Sequence, residues 1–545
     1  MRALRSCILI AALVSIVAPA ARAQAPARDT KAPQTGTAII KGRVTSAENG
    51  APLRRVRLVL SAPALSRPFY AATDAQGRYE FTELPAGRYT LSASKNTYVT
   101  LQYGQRRAFE SGKPIELADG VMMEKVDFTL PRGCVIAGTV VDQAGEPVAG
   151  VQVAALRSRY VSGKRKLDSV GRAVDTNDLG QYRLYGLQPG TYCVGTRPVP
   201  GPSDDGYPFA PSYYPGTVNL SEAQRVTIGL GQERSAVNIV QSEGRVVKVS
   251  GRIIDPEGGP LTTATVGVVN PSDGHVLNAI VRPDGTFVVP NVAPGEYGVT
   301  ATVRDPATGG LSMAMLWVPV YGEDVTGLVL QMVPGSHLTG RVTTEGGKLP
   351  AEAPRGLRVD PVLLETSLAM RMGAIGAQGI VNSDWTFDMK GIGGSLLFRM
   401  KPPEGYMLKS VVLDGRDITD VPLEVRGTEE INGLQVVLTS RVTEVNGGVT
   451  DAKGQPVHDY AVVVFAEEAA RWKWPSRYLF TARPDQQERF KIANLPRGRY
   501  LAVALEYLED GQSEDPEFLE SLRLSATSFT LDDGETRTLA LKIRR

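Results

Sequence analysis

Asp74-Ala75-Gln76-Gly77-Arg78-Tyr79-Glu80-Phe81 leads into Leu84-Pro85-Ala86-Gly87-Arg88-Tyr89-Thr90-Leu91, and this stretch decides the fold. Apolar and polar residues alternate through both halves, which is the period of a half-buried β-strand. Between and before the strands sit turn residues. Gly supplies a positive φ, and Pro fixes the approach to the second turn. The tyrosines alternate with polar neighbours, so their rings are expected to bury while their hydroxyls reach the rim.

The hairpin recurs. It returns as Gly180-Gln181-Tyr182 with Pro189-Gly190-Thr191-Tyr192, and as Asp284-Gly285-Thr286-Phe287 with Pro294-Gly295-Glu296-Tyr297. A last copy reads Arg489-Phe490-Lys491-Ile492 with Pro496-Arg497-Gly498-Arg499-Tyr500. Upstream of each hairpin lies a strand of the form V-x-G-x-V, such as Ile40-Lys41-Gly42-Arg43-Val44 or Val249-Ser250-Gly251-Arg252-Ile253. Downstream, a short strand, a Gly turn and a final apolar strand close the unit, as in Ile115-Glu116-Leu117, Gly120 and Val126-Asp127-Phe128. A fixed order of landmarks at a fixed period marks a repeat architecture.

Gly42, Gly138, Gly251, Gly340 and Gly447 mark five starts, 96, 113, 89 and 107 residues apart. Each unit predicts about seven strands of an antiparallel β-sandwich. The chain of 545 residues therefore divides into a leader (1–23), a linker (24–36) and modules at 37–133, 134–245, 246–334, 335–441 and 442–545. The fourth is degenerate. It keeps Asp384-Trp385-Thr386-Phe387, but its second turn is Gly391-Ile392-Gly393-Gly394, and its middle, Leu363 to Gly379, reads as either a broad strand or a short helix. Closing strands run almost directly into the next opening strand, which predicts a semi-rigid rod of about 150 Å, five beads in line. Glu514 to Leu522 predicts a short surface helix, with Pro516 in its first turn and acids at its start.

These landmarks resemble the carboxypeptidase regulatory-like domain, a transthyretin-like (prealbumin-like) β-sandwich related to the B-type repeats of Gram-positive surface adhesins and to the starch-binding-like fold. The resemblance covers nearly all of residues 37 to 545, with four good copies and one poor one. It implies an exported, often tandem, interaction or spacer module. It does not imply peptidase activity, because in that family the domain is an accessory to a separate catalytic unit.

The N-terminus fits export. Arg2 and Arg5 form a basic n-region, Ile8 to Val17 a short apolar core, and Ala21-Arg22-Ala23 a small-residue cleavage site. Losing Arg2, Arg5 and Arg22 turns the formal charge of +2 into −1. So nearly neutral a chain has no long-range field to collect nucleic acid. No later run is apolar for long enough to span a membrane. The localisation expected is periplasm, cell surface or medium, and the oligomeric state is not legible.

Chemistry is sparse. The three histidines, His275, His337 and His458, fall in three modules, and none has a Glu or second His at helical spacing, so no metal, cofactor or catalytic residue is expected. Asp175 to Gly180 has the oxygen-rich look of a calcium loop but occupies the hairpin-turn position, where Asp, Asn and Gly are wanted anyway. Cys134 and Cys193 share a module, and export permits a disulfide. Strand parity points Cys134 inward and Cys193 outward, against a bridge.

Aromatic residues outside the repeat are the ligand candidates: Tyr207, Tyr213 and Tyr214 in one insertion, and Trp472 and Trp474 in Arg471-Trp472-Lys473-Trp474-Pro475. Their rings either stack on sugars or anchor a partner, or they pack the sandwich ends. The reading is an exported, non-catalytic interaction or spacer protein whose partner is a protein or polysaccharide of the cell envelope. The alternatives are a polysaccharide-binding protein using those aromatics, and an accessory subunit of a separate hydrolase.

Overall fold

The computed structural model describes residues 36–62, 65, 67–197, 210–242, 246–270, 276–304, 311–345, 348–364 and 378–544. The leader, the linker, Tyr207, His275 and most of the Leu363–Gly379 stretch lie outside the described residues. The described strands form four successive pairs of sheets and then one seven-stranded sheet. Each group has its own hydrophobic cluster, from Ala38–Leu130, Cys134–Ile239, Val247–Met332, Leu338–Leu438 and Val445–Leu541. They are called units one to five below.

One arrangement repeats. The opening strand pairs antiparallel with the first hairpin strand and parallel with the closing strand. Units four and five do the same. The parallel ladder is the departure from an all-antiparallel sandwich. The chain leaves through the second sheet before its last strand returns beside the first.

The register explains the glycines. Gly42 faces Tyr79, Gly138 faces Tyr182, Gly251 faces Phe287, Gly340 faces Phe387 and Gly447 faces Phe490. A Cβ on these glycines would run into a carbonyl oxygen of the closing strand or of the segment leading into it, that of Val126, Val237, Leu328, Leu434 or Leu539 respectively. In unit one it would also come within 2.9 Å of the Tyr79 ring. The motif is therefore a requirement for space, where an aromatic ring and a neighbouring backbone converge on one residue.

The tyrosine rings bury as expected, but their hydroxyls do not seek the rim. Tyr79 and Tyr182 donate to the carbonyls of Val126 and Val237, two residues before the closing strand begins. Tyr89, Tyr192 and Tyr500 each donate 2.6 Å back to a carbonyl four residues earlier, that of Pro85, Gln188 or Pro496. Burial demands a partner for each hydroxyl, and the nearest carbonyl supplies it.

In unit five the last strand, Thr536–Arg544, joins the two sheets. It pairs along Glu444–Thr450 and at its end with Ala504 and Leu505. The helix forms at Pro516–Leu522, capped by the Asp515 side chain accepting from Glu517 N at 3.0 Å.

The rod is overturned. Residues 107–116 of unit one contact residues 458–510 of unit five across more than three hundred positions of sequence. The chain folds back, and unit five sits against units one, two and four. Short linkers limit the freedom between neighbours but do not set the direction of each step, so they never required a line.

Candidate interaction surfaces

The predicted ligand aromatics are mostly structural. Trp472 is 5% exposed, donates through Nε1 to Ala466 O at 2.7 Å, and meets Phe465 edge-on at 5.5 Å. Its ring cannot lie on a sugar face. Trp474 is half-buried against unit two, where a Cβ on Gly163 would stand 2.7 Å from the Trp474 Cβ. Tyr213 bridges Gly195 and Thr217. Tyr214 packs on the core of unit two. Both Tyr214-Pro215 and Trp474-Pro475 are cis. Cys134 and Cys193 are buried free thiols, Cys134 in the inter-sheet core and Cys193 in a separate cluster with Leu156 and Leu167. Burial raises the pKa of both thiols.

Asn177, inside the calcium-like stretch, uses its side-chain oxygen to accept from Leu179 N and Gln181 N at 3.1 and 2.8 Å, which closes the hairpin turn. His337 lies 3.0 Å from Glu430, and His458 pairs with Glu488. Among the described residues, no three His, Cys, Asp or Glu side chains gather as a metal site, and no helix is long and apolar enough to cross a membrane.

Sequence reasoning missed the junction of units one, two and five. At its centre Glu110, with no exposed side-chain surface, pairs with Arg483 at 6% exposure. Arg483 also reaches Asp459 at 2.5 Å, while among the described residues its buried Nε has no hydrogen-bond partner. The second Glu110 oxygen accepts from Arg106 N and Arg107 N at 3.2 and 3.1 Å. Lys113 donates to His458 O at 2.6 Å. Burial lowers the Lys113 pKa, against the pull of Asp459.

Phe109, the preceding residue, goes the other way. Its ring lies 3.5 Å beneath the Arg157 guanidinium and 6.4 Å from the Tyr192 ring of unit two. Its φ of 59° is what turns two adjacent side chains into two different units. Around them runs a charge-complementary seam. Arg107 binds Glu506, Arg157 binds Glu509 at 2.6 Å, and Gly163 N donates to Glu514 at 2.8 Å. No periodicity marks such residues. The only signal in sequence was the acidic run Glu506 to Glu517 set against the basic run Arg157 to Lys166.

A second junction joins units four and five. Arg477 binds Asp420 through Nε and NH2 at 3.2 and 3.1 Å and donates to Leu408 O at 3.2 Å. Lys409 meets Asp533 at 2.9 Å. Between these contacts opens a cleft of about 720 Å³, walled by Met407, Arg471, Tyr478 and the Pro496–Arg499 turn. That volume is in the range of small-ligand pockets. Arg471 and Arg499 are tied to Glu468 and Glu467 at 2.9 and 2.7 Å.

Residues 39–131 and 248–310 match the carboxypeptidase regulatory-like domain, so the chain carries that domain over these two stretches. Among solved structures, the chain is similar to the minor pilin GBS52 of Streptococcus agalactiae, at 15% identity, over 38% of this chain and 96% of that one, with a TM-score of 0.22. It is similar to the major pilin subunit BcpA of Bacillus cereus, at 11% identity, over 54% and 99%, with a TM-score of 0.14. The shaft pilin SpaA of Lactobacillus rhamnosus GG follows at 11% identity, over 38% and 98%, with a TM-score of 0.19. No curated protein matches the sequence.

Proposed function

We propose that this chain is an exported, non-catalytic interaction protein of the cell envelope, built of five β-sandwich domains at 37–133, 134–245, 246–334, 335–441 and 442–545. Its partner is an envelope protein or polysaccharide. The observation that carries this reading is the buried Glu110–Arg483 pair between units one and five. It supports a fixed body that presents several surfaces at once, in place of an extended spacer. The cleft between units four and five is the concave surface offered to a ligand.

The test uses the full chain, labelled and applied to envelopes of the source cell before and after protease or glycosidase treatment. Retention that protease abolishes identifies a protein partner. Retention that only glycosidase abolishes identifies a polysaccharide. No retention on any envelope overturns the proposal.

A further inference from the structure

The outer sheet of unit two carries a second feature. Its strand order is Lys164–Asp175, Gln152–Val161, Gly190–Arg197 and Val226–Ile228. Directly opposed residues share a face, and so do alternate residues along a strand. Tyr160 faces Arg165, Ser158 faces Leu167, Leu156 faces Cys193, and Thr191 faces Thr227. Arg165, Ser158, Thr191 and Arg225 therefore stand on one face, beside Leu156, Leu167 and Cys193. The apolar half of that face is closed by Tyr213, Leu220 and Ala223.

The polar half is open. It forms a concavity of about 450 Å³ lined by Arg157, Ser158, Arg165, Thr191 and Arg225. Arg157 already holds Glu509. Burial, with the carboxylates of Asp515 and Glu517 of unit five, raises the Tyr160 pKa; neither carboxylate is part of the lining. Arg157 alternates with Ser158, and its guanidinium is held on the other face of the sheet by Phe109 and Glu509. The guanidinium groups of Arg165 and Arg225 remain on the open face, and among the described residues its lining contains no carboxylate. Like charges so placed repel, and an anion among them relieves the repulsion while meeting donors built for oxyanions.

We infer that this concavity binds the carboxylate or sulfate groups of an acidic polysaccharide. Among the described residues, the lining has no apolar side chain to anchor a peptide and no ring to stack a base. It reads negative charge, through the arginines, and hydroxyl groups, through Ser158 and Thr191. This site is separate from the cleft between units four and five and does not depend on it.

The experiment titrates the full chain calorimetrically with polygalacturonate, dextran sulfate and sodium sulfate. The variants are Arg165→Ser/Arg225→Ser and, as a charge-matched control on other faces, Arg54→Ser/Arg234→Ser. Arg225→Gln alone carries the test if the first double variant fails to fold. The expected result is binding of at least one polymer, weakened about tenfold or more by the site variant, the loss of a charge-assisted contact, with less than twofold change in the control. The polymer that binds tells carboxylate from sulfate. Equal weakening in both double variants, binding of sodium sulfate alone, or no binding overturns the inference.

Discussion

Glu110 and Arg483 stand 373 positions apart and meet as an ion pair that solvent scarcely reaches. Taking two charges out of water is costly, and their attraction repays it only when the remaining atoms find partners. Glu110 does so through two backbone amides. Arg483 does so through Asp459, at the expense of an Nε with no hydrogen-bond partner among the described residues. The pair therefore fixes which surfaces meet more than how tightly they hold.

Arg483→Met leaves Glu110 buried and unpaired, and should cost about 3–5 kcal/mol. Glu110→Gln/Arg483→Met removes both charges and should recover most of that loss. Small-angle scattering is expected to show an expanded particle for the single variant and one near wild type for the double. Equal dimensions in all three would show that the pair does not hold units one and five together.

Gly42→Ala places a methyl group where the Val126 carbonyl and the Tyr79 ring already converge. Overpacking of this kind costs about 1–3 kcal/mol. The substitution should lower the melting temperature of unit one. Gly145→Ala is the contrast, since a Cβ there meets nothing within 4 Å. Its φ of 86° makes that substitution costly for a different reason, backbone strain. Gly145→Asn should relieve much of this, because asparagine tolerates the left-handed region, whereas Gly42→Asn should be worse than Gly42→Ala.

Burial raises the pKa of Tyr79, Tyr182, Tyr192, Tyr460 and Tyr500 above the usual phenol range. The sign follows from linkage. A raised folded pKa means the unfolded chain gives up these protons first. Stability is therefore full below about pH 10, the unfolded tyrosine value, and is lost as pH rises beyond it. Absorbance at the phenolate band should show these rings ionising together with unfolding. Ionisation of all tyrosines before any loss of near-ultraviolet dichroism would contradict it.

Cys134 and Cys193 are free and buried, and raised pKa values keep them in the unreactive thiol form. Neither should react with a thiol reagent until the chain unfolds. A reductant should leave the melting temperature unchanged. A drop of several degrees on reduction would reveal a bridge after all.

Trp472→Ala empties a site in the unit-five core and should destabilise it by about 3–5 kcal/mol. Trp474→Ala should instead weaken the seam with unit two, near Gly163, and leave the unit-five core intact. Hydrogen exchange on the two variants separates these outcomes. Protection lost around Phe465 is expected only in the first.

The repeat itself was readable in the chain because its causes are local. A hairpin turn, an alternating strand and a glycine opposite an aromatic ring are set by backbone geometry within about one hundred residues, and each leaves a period or a spacing. The helix at Pro516 was legible for the same reason, since its cap and first turn are neighbours in sequence. The burial of Trp472, the hydroxyl partners of Tyr79 and Tyr182, and the return of unit five onto units one and two belong to tertiary structure. They depend on the direction of each step between units and on single side chains such as Phe109, Glu110 and Arg483. A contact between residues hundreds of positions apart leaves no periodic trace, because nothing in covalent geometry requires either partner to know where the other lies.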